Sequence, residues 1–61
     1  MELNKDLKLE IGMTVRLNSG GPDMVIYNIL NETVYCEWFN DLQEVNNHPF
    51  DKACVKLIKD N

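Results

Sequence analysis

The sequence predicts an all-β protein: a small SH3-like antiparallel barrel, or a strongly curled sheet, of four to five strands. Three observations lead to this prediction. The chain has 61 residues, which is room for one domain. Apolar and polar residues alternate in several short stretches, and Gly, Pro and Asn clusters separate those stretches. A barrel also removes exposed strand edges. An open, twisted sheet that pairs edge to edge in a dimer is the alternative architecture.

The small size of the chain favours association. A domain of this length buries only about 60% of the surface that its unfolded chain exposes. The conformational entropy lost on folding nearly cancels the free energy that this burial contributes. We expect residues 1–10 to form a short polar tail and residues 11–59 to form the single β-barrel domain. Within the tail, Leu3 and Leu7 are four apart and Asn4 could cap a helical turn, but a frayed tail is the preferred interpretation.

The first predicted hairpin surrounds the segment "SGGPD" (residues 19–23). Before it, "MTVRLN" alternates and places Met13, Val15 and Leu17 on one face. After it, "MVIYNIL" (residues 24–30) is rich in β-branched and aromatic residues. Because Gly takes positive φ freely and Pro lacks an amide donor, we interpret the segment as a turn between two strands.

The same segment is a poor phosphate loop. Such a loop needs spaced glycines followed by Lys and Ser or Thr. Here Gly20 and Gly21 are adjacent, no Lys follows them, and Asp23 would repel a phosphate. Turns on a rigid scaffold can still make contacts, so Ser19, Gly20, Gly21 and Pro22 are kept as candidate partner-contact residues.

The third predicted strand is "TVYCEWF" (residues 33–39), between turn signals at residues 31–32 and 40–41. Alternation divides it into Val34, Cys36 and Trp38 on one face and Thr33, Tyr35, Glu37 and Phe39 on the other. Neighbouring strand residues face opposite sides. The pattern alone leaves open which of Trp38 and Phe39 is buried.

The remainder of the chain has a weaker pattern. We expect a short strand at residues 42–45, a loop at residues 46–49 and a single helical turn in "FDKA" (residues 50–53). The last strand is "CVKLIK" (residues 54–59). Its inward anchors are either Cys54 with Leu57 or Val55 with Leu57.

Charge and hydropathy limit the partners. The formal net charge is -4, which disfavours nucleic acid, although Lys52, Lys56 and Lys59 lie close together near Asp51 and Asp60. No apolar run has the length of a membrane span, and the N-terminus lacks an apolar signal core. We therefore expect a cytoplasmic protein with reduced thiols.

Cys36, Cys54 and His48 are the residues that suggest metal or nucleophilic chemistry. Their spacing matches no compact zinc pattern, and nothing in the sequence positions an orienting group or an oxyanion hole. Buried free Cys behaves as a small hydrophobe. We interpret them as packing residues and expect no catalytic residue, metal or cofactor.

The aromatic residues point to a contact surface. If Trp38 is buried, Tyr35 and Phe39 share the outward face of their strand and Tyr27 stands beside them. An exposed aromatic patch on a small domain indicates a protein partner. We expect a non-enzymatic binding module that forms a homo-oligomer through this patch, with Arg16 and the SGGP segment at its rim. The alternative is that Leu3 and Leu7 of the tail cover the patch.

The chain resembles the YodC-like family of small uncharacterised bacterial proteins. The resemblance covers residues 11–58, and its most specific part is the SGGPxM segment together with VxCxWF. The matching positions are Gly12, Val15, Leu17, Ser19, Gly20, Gly21, Pro22, Met24, Ile26, Val34, Cys36, Trp38, Phe39 and Phe50. Ile26 stands where the family pattern usually has Val. The resemblance implies a small β-rich fold from bacteria or their phages and no assigned activity.

Two further functions stay open at this point. Small barrels often bind single strands by aromatic stacking, so a nucleic-acid or nucleotide binder is one alternative. A phage or host regulatory inhibitor that occludes a target enzyme is the other, because a small acidic protein suits that role.

Overall fold

The computed structural model describes residues 8–59, which form one five-stranded antiparallel sheet with the order β4-β3-β2-β1-β5. The elements are β1 (Thr14–Leu17), β2 (Gly20–Leu30), β3 (Thr33–Phe39), β4 (Val45–Asp51), a 3-10 turn (Lys52–Cys54) and β5 (Val55–Lys59). The predicted all-β class is confirmed. The sheet is not closed, so the curled-sheet form of the prediction is the one observed. The expected turn at Asn4 lies outside the described residues.

Strand β2 makes the sheet curl. It is 11 residues long, and it pairs with β1 through its first half and with β3 through its second half. Val25 is the junction, since it is opposite Thr14 on one side and opposite Glu37 on the other. A meander of four strands, followed by a 3-10 turn and a last strand that returns to β1, is the strand order of an SH3-like barrel.

The core lies on the concave side of this curl. Its buried members are Val15, Met24, Ile26, Val34, Cys36 and Val55. Partly buried residues pack against them, namely Leu9, Met13, Leu17, Ile29, Trp38 and Phe50. Alternation predicts this side for Val15, Val34 and Cys36. Fully burying one aliphatic side chain of this kind contributes roughly 1.5–3 kcal/mol.

The prediction that "SGGPD" is the turn is wrong in its extent. The turn is Asn18 and Ser19 alone, because Leu17 pairs directly with Gly20. The register then shifts before Val15 pairs with Met24, so residues 21–23 bulge out of the β1–β2 ladder. Gly20 and Gly21 both have φ of +110°, which a residue with a Cβ adopts only under strain. The glycines therefore shape a bulge within β2.

The strand predicted at residues 42–45 and the loop predicted at residues 46–49 are also wrong. The Oδ1 atom of Asn40 accepts hydrogen bonds from the Leu42 and Glu44 N–H groups, at 2.8 and 3.0 Å, and so builds a tight turn there. Strand β4 then runs from Val45 to Asp51 and contains Pro49. Proline is tolerated because β4 is an edge strand of the sheet.

The helical turn lies two residues further along the chain than predicted. It covers Lys52–Cys54, and the Asp51 side chain caps it by accepting a 2.9 Å hydrogen bond from the Ala53 N–H. The last strand is anchored by Val55, which is buried, and by Leu57, which is half-buried. Cys54 is exposed, so the first pair of predicted anchors is excluded.

Candidate protein-contact face

The convex side of β2, β3 and β4 carries an unusual number of exposed apolar side chains. Directly paired residues share one face of a sheet, so the pairs Val25–Glu37 and Phe39–Val45 place four side chains on the side opposite the core. The exposed fractions are 38% for Val25, 41% for Tyr27, 66% for Phe39 and 55% for Val45. We call the surface formed by Val25, Tyr27, Tyr35, Phe39 and Val45 the outer face.

Tyr27 lies on the outer face at a bulge in β2. Ile26 pairs with Cys36 and Asn28 pairs with Tyr35, so Tyr27 is the extra residue between them. The Tyr27 and Tyr35 rings have centroids 6.2 Å apart and an interplanar angle of 53°. This tilted geometry lies within the favourable range for aromatic pairs. The two rings form one end of the outer face.

The other end of the outer face is a shallow cavity of about 160 Å³. Its lining consists of Asp23, Val25, Glu37, Trp38, Phe39 and Val45. Cavities that enclose a drug-sized ligand are roughly 300–1,000 Å³. This one has room for a single side chain of a partner, and its lining includes two acidic residues, which carry carboxylates.

An ion pair holds one of those carboxylates in place. The Arg16 guanidinium donates from Nη2 and Nε to the Oδ1 atom of Asp23, at 2.6 and 3.0 Å. Both side chains are partly exposed, so the pair contributes roughly 0.2–1 kcal/mol to stability. Arg16 thus lies beside Asp23, one of the residues that line this cavity.

The SGGP residues occupy a different place. Ser19 belongs to the hairpin turn, and Gly20, Gly21 and Pro22 lead from that turn into the bulge before Asp23. None of these four residues lines the cavity. The structure brings together Tyr27 and Tyr35, adds Phe39 further along β3, and leaves the SGGP residues beyond the rim.

Sequence reasoning missed Val25 and Val45 as members of this surface. Val25 was detectable, because it is two residues before Tyr27 in a predicted strand. Val45 was not detectable, because the sequence analysis placed it at the end of a strand over residues 42–45. The structure has a turn there, and Val45 begins β4. Glu37 lies between Tyr35 and Phe39 on the same face, and alternation did identify its side of the strand.

The structure distinguishes the two neighbouring aromatic residues: Trp38 is half-buried and Phe39 is exposed. Trp38 packs against the core, with its ring centroid 6.5 Å from that of Phe50, while Phe39 points outward. The tail leucines Leu3 and Leu7, which were the alternative cover for the outer face, lie outside the described residues.

The residues considered for metal or nucleophilic chemistry do not converge. Cys36 is buried in the core, where burial raises the pKa of its thiol, whereas Cys54 is exposed. The Nδ1 atom of His48 lies 2.7 Å from the Pro49 carbonyl oxygen. Over residues 8–59, no group of three or more His, Cys, Asp or Glu side chains is arranged to hold a metal ion.

The fold and this surface define a class: a small all-β protein built as a curled SH3-like sheet with an exposed apolar face. The chain belongs to the family described as uncharacterized small protein (DUF2158), which it matches over residues 10–55. No curated protein and no solved structure matches the chain. In the part of the chain that the structure describes, no helix has the length and apolar character needed to cross a membrane.

Proposed function

We propose that this protein is a non-enzymatic binding module that contacts protein through the outer face and forms a homodimer by the same face. The observation that supports this proposal is the grouping of apolar side chains on one side of β2, β3 and β4, three of which are Tyr27, Phe39 and Val45. Exposed apolar patches on small domains mark interaction sites, and Tyr is enriched among the residues that dominate binding energy. Burial of this surface would supplement the apolar core that residues 8–59 form.

The properties of β4 favour association by the face over association by the sheet edge. The Lys52 N–H donates to the Glu32 carbonyl, so the backbone groups of Lys52 point toward β3. Because this direction alternates along an antiparallel strand, the backbone groups of Pro49 point away from β3. Pro49 has no N–H to offer a new strand. Its carbonyl oxygen lies 2.7 Å from His48 Nδ1, which must be the donor because a carbonyl only accepts. Neither the nitrogen nor the carbonyl oxygen of Pro49 is therefore available to pair with a further strand. Natural proteins protect exposed sheet edges by such features.

We also propose that the chain is one of the YodC-like small bacterial proteins, found in bacteria or their phages, and that it works in the cytoplasm. The SGGPxM and VxCxWF segments support the first statement, since both lie within the matched residues 10–55. The two free thiols, Cys36 and Cys54, support the second, because reduced cysteines are typical of that compartment.

A pull-down tests the proposal. The full chain carries an affinity tag, is co-expressed with an untagged copy, and is compared with a Tyr35→Ala, Phe39→Ala variant. Ile11→Ala is the matched control, because Ile11 is as exposed as Phe39, at 63% against 66%, but lies in the turn before β1. Circular dichroism verifies that each variant folds.

The expected result is capture of the untagged copy by the wild type and by Ile11→Ala, with loss in the double variant. Captured material is identified by mass spectrometry and by nucleic-acid staining. Equal capture by all three proteins would contradict the proposal, and so would capture of nucleic acid alone.

A further inference from the structure

The two edges of the sheet differ in their protection. The strand order places β4 at one edge and β5 at the other. At the β4 edge, Pro49 has no N–H, and its carbonyl oxygen lies 2.7 Å from His48 Nδ1. Strand β5 contains no proline, so each of its residues keeps a backbone N–H. The β5 edge is therefore the better template for a further strand.

The hydrogen bonds of β5 show which of its backbone groups face this edge. The Asn18 N–H donates to the Cys54 carbonyl at 2.8 Å, so the backbone groups of Cys54 point toward β1. Because the direction alternates along an antiparallel strand, the groups of Lys56 also point toward β1. The backbone groups of Val55 and Leu57 therefore point away from β1, toward the free edge.

Three of these groups are left for a new strand. The Val55 N–H already donates to the Lys52 carbonyl. The Val55 carbonyl and both backbone groups of Leu57 remain, and over residues 8–59 no strand lies on that side of β5. Backbone groups of this kind are obligatory hydrogen-bonding groups, so a strand laid along them would form a regular ladder.

A groove of about 450 Å³ lies beside this edge. Val55, Lys56 and Leu57 line it along β5, and Leu9 lines it from the segment before β1. Ligand sites in proteins have volumes of roughly 300–1,000 Å³. The edge of β5 thus borders a groove of a size that suits a ligand.

The side chains of β5 alternate between the two sides of the sheet. Leu57 pairs with Val15, which is buried, so Leu57 lies on the core side, where Val55 is buried as well. Lys56 pairs with Arg16 and lies on the opposite side, exposed to solvent. Directly opposed residues share one side of a sheet. An added strand therefore meets an apolar residue, a lysine and an apolar residue in turn, on alternating sides.

Lys56 selects the charge of the added strand. Over residues 8–59, the ion pair found joins Arg16 to Asp23, and Lys56 is paired with no carboxylate. Since the backbone groups of Lys56 point toward β1, its pair with an added antiparallel strand is a non-hydrogen-bonded one, in which side chains are closer together. Opposite charges stabilise such a pair and like charges destabilise it. Lys56 therefore favours Glu or Asp opposite it.

The same rule disfavours a second copy of β5 as the added strand. Strand β5 contains Lys56 and Lys59 and no acidic residue, so a second β5 offers no carboxylate to Lys56. Lysine on an edge strand is one of the features that limit pairing between identical edges. A partner segment of different sequence suits this edge better.

We infer that the β5 edge binds an extended segment of a partner protein as a sixth, antiparallel strand with an apolar–acidic–apolar pattern. Its acidic residue lies opposite Lys56, and its apolar residues lie opposite Val55 and Leu57 on the core side. In strand addition, main-chain hydrogen bonds supply affinity and alternate side chains supply specificity. The site shares no residue with the outer face, so this inference and the proposed function can fail separately.

The test uses the capped peptide acetyl-STVEVTS-amide, titrated into the ¹⁵N-labelled full chain and followed by nuclear magnetic resonance. With the peptide Glu opposite Lys56, its first Val lies opposite Leu57. We expect saturable amide shifts centred on β5. In the free protein the Leu57 amide should exchange with solvent faster than the Lys56 amide, which bonds to β1, and saturation with peptide should slow it.

N-methylation of the peptide tests the backbone pairing without altering the protein. The first Val donates its N–H to the Leu57 carbonyl in the inferred register, so a methyl group on that nitrogen should weaken binding by about tenfold or more. The N–H of the peptide Glu points away from β5. N-methylation of the Glu is therefore the matched control and should change the dissociation constant by about threefold or less.

A charge exchange tests the side-chain pairing. The wild type should prefer STVEVTS to STVKVTS by about tenfold, and Lys56→Glu should reverse this preference. Leu42→Glu is the control, because it adds a negative charge at an exposed residue of the β3–β4 turn. It should keep the preference of the wild type. Amide dispersion shows that each variant is folded.

Any of the following results would overturn the inference. STVEVTS could fail to give saturable shifts, the two N-methylated peptides could bind equally well, or Lys56→Glu could keep the wild-type preference. Slower Leu57 exchange at higher protein concentration, without peptide, would assign the edge to a second copy. Shifts centred on Tyr27 and Phe39 would place the peptide on the outer face.

Discussion

The rings of Tyr27 and Tyr35 lie 6.2 Å apart on the side of the sheet opposite the core, next to a bulge in β2. Ile26 is buried and Tyr27 follows it, so plain alternation already turns Tyr27 outward. The bulge then keeps Asn28 opposite Tyr35, which leaves the Tyr27 ring beside its neighbour across the strands. Alternation thus determines the face on which Tyr27 lies, and the bulge determines which β3 residue is its neighbour.

The tyrosine pair should contribute measurable coupling to stability. In a double-mutant cycle of Tyr27→Ala and Tyr35→Ala, we expect a coupling of about 0.5–1 kcal/mol, at the lower end for aromatic pairs because Tyr27 is partly exposed. Urea unfolding of the four proteins at one chain concentration measures it. Additive losses from the two substitutions would show that the rings do not interact.

Gly21→Ala should destabilise the protein through its backbone. Gly21 has φ of +110°, and a Cβ built there meets no atom within 4 Å, so strain is the whole effect. Residues held in such a region cost roughly 1–3 kcal/mol. Ser19→Ala, in the adjoining turn, should change the free energy of unfolding by about 0.5 kcal/mol or less. Equal stability of the two variants by urea unfolding would mean that the bulge does not need glycine.

The buried thiol of Cys36 predicts how stability depends on pH. Burial raises the pKa of this thiol above its ordinary value of 9.0. At alkaline pH the unfolded chain releases the proton while the folded chain still holds it. The stability from this group is therefore complete below the ordinary thiol pKa and is lost as pH rises through the higher folded value.

The measurement is the free energy of unfolding between pH 7 and pH 10 under reducing conditions. We expect the wild type to lose stability more steeply than Cys36→Ala, by up to about 1.4 kcal/mol per pH unit. Cys54→Ala should keep the slope of the wild type, because Cys54 is exposed. Identical slopes for the wild type and Cys36→Ala would exclude a protonated buried thiol.

Strand β3 and the core positions follow from the sequence because alternation and burial agree there. The predicted strand at residues 33–39 matches β3, and Val34 and Cys36 are buried as their pattern indicates. Half-buried strands have the strongest pattern, since one face must be apolar. This part of the fold needed no knowledge of tertiary contacts.

Strand β4 could not be predicted in the same way. Asn46, Asn47 and Pro49 have low strand propensity, yet the structure places them in a strand. An edge strand needs hydrogen bonds on one side only and tolerates Pro on the other. Pairing with β3 therefore determines the conformation of β4. The local sequence of β4 does not show this pairing.

The glycine segment shows a second limit of local reasoning. Gly20 and Gly21 were expected to reverse the chain, because positive φ is typical of turns. They instead begin β2, and Asn18 with Ser19 makes the reversal. Positive φ serves turns and bulges alike, so the residue type alone does not distinguish them.

The outer face was predicted in outline. Tyr27, Tyr35 and Phe39 were placed on one surface by strand period, and the structure has them there.

Sedimentation equilibrium of the full chain is the most direct test of association through the outer face. The wild type and Ile11→Ala should fit a monomer–dimer equilibrium over a range of concentrations. The folded Tyr35→Ala, Phe39→Ala variant should shift that equilibrium toward monomer by at least about tenfold, since truncating two anchors costs more than 1.4 kcal/mol. A wild type that stays monomeric at every concentration, or a double variant that dimerises equally well, would contradict the account.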